Sequence, residues 1–255
     1  MTLILRPLKG IPLIKPGDSL EDIILTALKK TRIELQANDI LVLAQKIVSK
    51  SEGRLVNLTE IIPSNEAIKI AQQSEKDARF VELVLRESKA ILRVRPGLIV
   101  VEHRCGFICA NAGIDHSNVQ GDWGNPEDWV LLPPEDADRS AKKLQEELEQ
   151  RCGLKLGILI IDSHGRAWRM GTAGVAIGMA GVPGLVDLRG QPDLFGYQLR
   201  VTQVGAADEL ASAASLIMGQ AAEGSPIVHV RGFPYALRES SITELLRPKE
   251  NDLFR

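Results

Sequence analysis

LGILIID, residues 156–162, is a run of branched aliphatic side chains that stops on an acid. No polar residue alternates with the apolar ones, so the stretch reads as a strand buried on both faces and ending at Asp162. DILVLA at 39–44 has the same character. Around these two strands the signals mix. Residues 18–31 carry a capping Asp or Ser, apolar positions at helical spacing and a basic end, which predicts a helix. Residues 64–92 carry two apolar helical segments, and 135–151 form a charged helix stopped by Gly153. GLIVVEH and FICANAG read as a strand pair with a tight turn near residues 104–106. QLRVTQV at 198–204 alternates as a strand, residues 206–218 form an Ala-rich helix, and PIVHVRG is another strand. Ser241 to Glu244 has the form of a capping box for a short last helix. The fold class is mixed, α/β or α+β, with antiparallel hairpins as prominent as βαβ units.

Composition narrows the function. At 255 residues, 44% hydrophobic and 25% charged, the chain can bury a sizeable core in one large domain or two smaller ones. With 31 basic and 33 acidic residues the formal charge is -2, which leaves no electrostatic footprint for nucleic acid or an anionic membrane. No apolar stretch is long enough to cross a bilayer and no secretory leader is recognisable, so a cytoplasmic protein acting on small molecules is expected. Cys105, Cys109 and Cys152 cannot all pair and are expected as core thiols; a zinc site from His103, Cys105 and Cys109 would lack a fourth ligand at finger-like spacing.

Two acids stand out. Asp162, with the hydroxyl of Ser163 beside it, ends a buried strand, and Asp115 follows another strand within NAGIDHSN at 111–118. Carboxylates delivered to a sheet edge can share a hard cation such as Mg2+ or Mn2+. Each acid taken singly is also met as a turn or helix cap. Arg166 and Arg169 follow closely, with a guanidinium geometry that suits phosphate or carboxylate oxygens. Glycines at 171, 174, 178, 181 and 184 permit close approach of the backbone to a ligand or another element. Neither a P-loop sequence nor a Rossmann fingerprint occurs, so a nucleotide would be held by residues 10–14, by 45–50 after the first buried strand, or by the loop 218–225. A Ser-His-Asp hydrolase lacks its nucleophile elbow.

The stretches GIPLIKPGDSL, DILVLAQKIVSKSEGR, NAGIDHSN, LLPPEDADRSA, IIDSHGRAWRMGTAGVAIGMAGV, DLFGYQL and VRG, in this order over residues 10–232, resemble the coenzyme F(420)-0:L-glutamate ligase family. The resemblance implies a single ligase domain over 1–255, without a fused reductase domain, in a family-specific fold that forms an intertwined homodimer. It implies a GTP-dependent activity on the deazaflavin coenzyme F(420)-0 and L-glutamate, with two divalent cations, Mn2+ or Mg2+, and K+ as a further candidate. Asp115 and Asp162 would be metal ligands, Ser163 would stand where the family has Thr, and Gln220 where a family Glu contacts metal. Asp115, Asp162 and Arg166 are the expected catalytic residues. Nucleotide contacts would come from Ile11, Pro12, Leu13, Ile14, Gln45, Lys46, Lys50, Asn118, Met218, Gly219, Gln220, Ala221, Ala222, Glu223, Gly224 and Ser225. The neutral Gln220 keeps a second reading open, a dimeric nucleotide- or deazaflavin-binding homologue of weakened turnover, as does an amide ligase for another carboxylic acid.

Overall fold

A computed structural model describes residues 2–252. In chain order its elements are β1 (Ile4–Pro7), α1 (Leu20–Thr31), β2 (Ile40–Ala44), α2 (Gln45–Ser51), β3 (Leu55–Asn57), α3 (Asn65–Ser74), α4 (Ala78–Arg86), β4 (Ser88–Arg95), β5 (Leu98–His103), β6 (Ile108–Ala110), β7 (Trp129–Leu131), α5 (Ala137–Cys152), β8 (Gly157–Arg166), β9 (Arg169–Ala180), β10 (Val186–Asp187), β11 (Gln203–Val204), α6 (Ala206–Met218) and β12 (Ile227–Arg231). The main sheet has the order β1-β12-β2-β8-β9. Within it β2 and β8 are parallel and the other neighbours antiparallel, so the fold is mixed α/β with mixed and antiparallel sheets. Smaller sheets are β4-β5-β6, β3-β7 and β10-β11.

The continuous apolar runs behave as read. Ile40, Leu41, Val42 and Leu43 of β2, and Ile158, Leu159 and Ile160 of β8, are fully buried. Strand alternation divides them between two cores. Leu41, Leu43, Ile158 and Ile160 join α1, α4 and α5 on one face. Ile40, Val42, Leu159 and Ile161 meet Ala207, Leu210, Ala211 and Ala214 of α6 on the other. Asp136 caps α5 through the Arg139 N–H and Gly153 ends it in a left-handed conformation. Close packing explains two of the glycines on β9: a methyl on Gly178 would lie 2.4 Å from the Ala137 carbonyl carbon, and one on Gly174 would lie 2.6 Å from the Ala211 oxygen, whereas Gly171 has open space around it.

Several elements differ from their local signal. β8 does not stop at Asp162; it runs to Arg166, paired with a strand, β9, that glycines disguise in the sequence. Polar residues stay extended there because β9 satisfies their backbone groups. β2 ends at Ala44, opposite Ile161, so Asp162 is the first residue of β8 beyond that neighbour. The second helical segment expected to reach 92 ends at Arg86, because β5 supplies a partner that turns Ser88–Arg95 into β4. Of QLRVTQV only Gln203–Val204 pairs, with Val186–Asp187, and the rest lies in an exposed loop with one bridge from Gln198 to Pro192. The short last helix expected from the capping box at 241–244 is a single 3-10 turn, Ile242–Glu244; Ser241 makes no cap hydrogen bond and Glu244 is engaged by Arg238 and the Leu185 N–H instead. Among the described residues no helix is long and apolar enough to cross a membrane.

Asp39, just ahead of β2, ties the far edge of this sheet. Its carboxylate accepts from Arg231 Nε at 2.8 Å and Nη2 at 2.6 Å and from the Gln36 N–H at 2.8 Å, and lies 2.8 Å from His229 Nε2. Burial pushes this buried acid up, but Arg231 and His229 outweigh it and hold its pKa below the ordinary value. With the folded value depressed, the stabilisation is present above about pH 4 and is lost as pH falls through that value. Asp39→Ala is expected to cost roughly 3 kcal/mol at pH 7 in urea unfolding, less at acidic pH. An unchanged urea midpoint at pH 7 would contradict this.

Candidate active site

Parallel pairing of β2 with β8 brings both carboxyl ends to one edge of the main sheet. The antiparallel neighbours bring the end of β1 and the start of β12 to the same edge. Four segments therefore leave side by side: the chain after β1, α2 after β2, the outer part of the β8–β9 hairpin, and the loop before β12. Leu8 N donates to Ile227 O and Ala44 N to Pro226 O, both at 2.9 Å, which holds these exits together.

NAGIDHSN arrives from the smaller sheet. After β6, Asn111, Ala112 and Gly113 take φ values of 51°, 54° and 68°, a tight left-handed turn. Glycine suits position 113, where φ is positive and a methyl would crowd Pro133 at 3.1 Å; the same methyl position lies 3.8 Å from Asp162 Oδ2, which places the turn against that acid. Beyond the turn, Asp115 exchanges backbone hydrogen bonds with Leu131 at 3.0 and 2.9 Å, which fixes the acid's backbone. Lys46 Nζ lies 3.3 Å from Asp115 Oδ1 and donates to Ser117 Oγ at 2.7 Å. Lys50 donates to Asn118 O at 2.7 Å, and Asn118 Nδ2 to Ala221 O at 3.1 Å. One turn of α2, the 115–118 loop and the 218–225 loop are thus joined.

The two aspartates converge, and their surroundings pull them apart electrostatically. Burial, and then the charge of Asp162, push Asp115 up to about 6 against the pull of Lys46. Burial also pushes Asp162 up, but the His164 hydrogen bond and charge outweigh it and hold that carboxyl below its ordinary range. Asp115 Oδ2 is buried with no hydrogen-bond partner. An orphaned carboxylate oxygen beside a second acid is what a divalent cation would resolve, and the oxygen donors suit Mg2+ or Mn2+. Among the described residues no group of three or more His, Cys, Asp and Glu side chains is arranged to hold a metal, so phosphate oxygens or water would complete any such shell.

Ser163 and Gln220 form a separate pair. Ser163 Oγ donates to Gln220 Oε1 at 2.8 Å, and Gln220 Nε2 donates to Ser215 Oγ at 2.8 Å, which sets the orientation of the amide. Alternation along β8 sends Ser163 toward α6, away from the face that carries Asp162. The side chain of Gln45 is buried; its Nε2 donates to Ser49 Oγ at 2.7 Å and Leu132 O at 3.4 Å, and its Oε1 has no hydrogen-bond partner. Of residues 11–14, Ile14 is buried and Leu13 exposed, in a loop whose Gly17 N–H reaches Ser51 O at the end of α2. Met218 is buried at the end of α6, and residues 220–224 are exposed. Arg166 stands near the hairpin tip, about 13 Å along the strand from Asp162, and donates to Met170 O; this chain does not bring it to the acids. Cys105, Cys109 and Cys152 are free thiols, and burial pushes Cys109 up to about 12. Sequence reasoning passed over His164 as a partner of Asp162, although its i, i+2 spacing on a strand is the signal. A groove of about 450 Å3 lined by His116, Val119, Pro126 and Glu127 opens beside the loop.

The family model described as F420-0:Gamma-glutamyl ligase matches residues 10–232. This chain belongs to that family. It is 45% identical to the coenzyme F420:L-glutamate ligase of Methanothermobacter thermautotrophicus, with both chains covered in full. The corresponding proteins of Methanopyrus kandleri and Methanocaldococcus jannaschii are 42% and 39% identical, over 100% and 96% of this chain and 98% and 94% of their own. The matched residues contain both aspartates, Lys46, Lys50 and the 218–225 loop.

Because the folded pKa of Asp115 is raised, its ionisation opposes folding: stability falls as pH climbs from about 4 through 6. Asp115→Asn is expected to stabilise the metal-free protein at pH 8 by roughly 1 to 2 kcal/mol, with no gain at pH 4. Thermal unfolding at the two pH values checks this, and equal effects at both would refute it.

Proposed function

We propose that the protein is a GTP-dependent ligase that joins the carboxylate of coenzyme F(420)-0 to the amine of L-glutamate and then adds γ-linked glutamate. The observation that carries the reading is the convergence of Asp115 and Asp162, one buried oxygen unpartnered, at an edge where Lys46 and Lys50 also emerge. The substrates are taken from the relatives, whose name is coenzyme F420:L-glutamate ligase.

A carboxylate resists amine attack because oxide is a prohibitive leaving group. Transfer of the γ-phosphoryl group of GTP to the carboxylate forms an acyl phosphate and GDP. The glutamate amine then attacks the acyl carbon, loses a proton and expels phosphate. Such chemistry is governed by positioning and electrostatics. Lys46 and Lys50 are assigned to the phosphates. Burial and then the neighbouring Lys46 charge lower the pKa of Lys50, so an anionic ligand offsets the cost of keeping it charged. Asn118, the 11–14 segment and the 218–225 loop surround the nucleotide. Asp115 with Asp162, and Ser163 with Gln220, are the donor pairs for two divalent cations, which when bound neutralise phosphate charge. Arg166 carries no step within one chain.

Incubation with GTP, Mn2+, L-glutamate and the deazaflavin acid is expected to add one glutamyl mass with one GDP per bond. Asp162→Ala should reduce the rate on the order of a hundredfold or more. Unchanged substrate with several nucleotides overturns the reading; tight nucleotide binding without consumption would favour the non-catalytic homologue, and turnover of a different acid would reassign the substrate.

The assembly belongs to the same proposal. Met170 on the hairpin, and Leu194, Phe195 and Val201 on the following loop, are each at least 85% exposed, and Leu216 adds to the apolar surface from α6. Large exposed apolar patches mark interaction surfaces, and a homodimer built through this arm would cover them. Light scattering is expected to give twice the 27.9 kDa chain mass. Replacing Leu194 and Phe195 by Asp should shift the protein toward monomer, whereas a monomeric parent protein sinks the assignment.

A further inference from the structure

Asp162 and His164 lie two residues apart on β8, where the register with β9 is regular from Ile161 to Gly165, so both side chains leave the same face. On that face His164 Nε2 is 3.1 Å from Asp162 Oδ2, and only 12% of the imidazole side chain is exposed. The ring is braced from behind. Buried Phe107 lies 5.5 Å from it at 44°, and Phe107 is itself stacked on His103 at 4.6 Å and 4°. His103 is fully buried and accepts the Cys105 N–H on Nδ1 at 3.1 Å. Its Nε2 faces Glu87 at 3.7 Å, and Glu87 is gripped by Arg54 at 3.0 Å and Arg104 at 2.9 Å. A packed series of rings thus leads from an anchored charge cluster to the acid pair.

We propose that His164 is the positioning residue of the acid pair: its hydrogen bond to Oδ2 holds the Asp162 carboxylate in the rotation that presents it, with Asp115, to a shared divalent cation. This inference rests on the cation reading given under Proposed function. A carboxylate on a strand turns freely about its terminal bond unless something fixes it, and a cation bound by two side chains is sensitive to that rotation. Outer partners of this kind typically contribute ten- to a hundredfold in metal affinity. A purely structural histidine would instead be felt in stability, through its contact with Phe107.

His164→Phe keeps a ring against Phe107 and removes the donor; His164→Gln keeps a donor of similar reach. Mn2+ binding to the nucleotide-free protein, followed by calorimetry and by electron paramagnetic resonance, is the readout. H164F is expected to weaken Mn2+ binding about ten- to a hundredfold while the metal-free protein stays folded, and H164Q to recover most of the loss. If H164F does not fold, H164N, too short to reach Asp162, takes its place with the same expectation. Parent-like affinity in H164F or H164N, while Asp162→Ala abolishes binding, overturns the positioning role alone. A parent protein that binds no Mn2+, or an Asp162→Ala variant that binds it as the parent does, overturns the cation reading and this proposal with it.

Discussion

Side-by-side parallel pairing of Ile40–Ala44 with Gly157–Ile161 sends two remote parts of the chain out of the sheet in the same direction. Both strands are dry on both faces, so the register is specified twice over: a one-residue slip would exchange the residues packed on α6 with those packed on α1 and α5. From that pairing follows the placement of Lys46 and Lys50, which leave β2 at the level where Asp162 leaves the shared part of β8. The antiparallel strands on either flank then add the 8–14 and 218–225 segments to the same edge. Chemistry gathers there because backbone pairing, not attraction among the polar side chains, aligns the exits.

What gathers is electrostatically uncomfortable. Two carboxylates in a partly dry site repel, and the protein offsets this unequally, holding Asp162 ionised through His164 while Asp115 is pushed to about 6 against the pull of Lys46 and His164. An apolar substitute at either position would relieve the repulsion. Retaining both acids, with one buried oxygen unmatched, is the pattern of a site that sacrifices stability for binding. The two cores on either face of the sheet supply the stability that tolerates it.

The β8–β9 hairpin does two jobs on its two faces. Asp162 and His164 project toward the 111–115 turn, and Ser163 projects toward Gln220 and α6. Gly174 and Gly178 let β9 lie against α6 and α5 at distances no side chain would allow. Farther out the same hairpin carries exposed Met170, and the loop that follows it carries exposed Leu194 and Phe195.

Much of this is legible in the sequence. Continuous branched runs declared β2 and β8, caps and helical spacing declared α1 and α5, alanine content declared α6, and the acids in NAGIDHSN and at the end of LGILIID were identifiable because short-range patterns report burial and turn chemistry directly. The motifs over 10–232 pointed to the family. Hidden were β4, β9 and the extension of β8 to Arg166, because a strand is defined by a partner distant in sequence, and glycines or polar residues pair as well as valines when that partner is present. The closeness of Asp115 to Asp162, the pKa values it imposes and the grip of His164 on Asp162 were likewise decided only by tertiary structure. Periodicity says which way a side chain faces; only the packed sheet says what it faces.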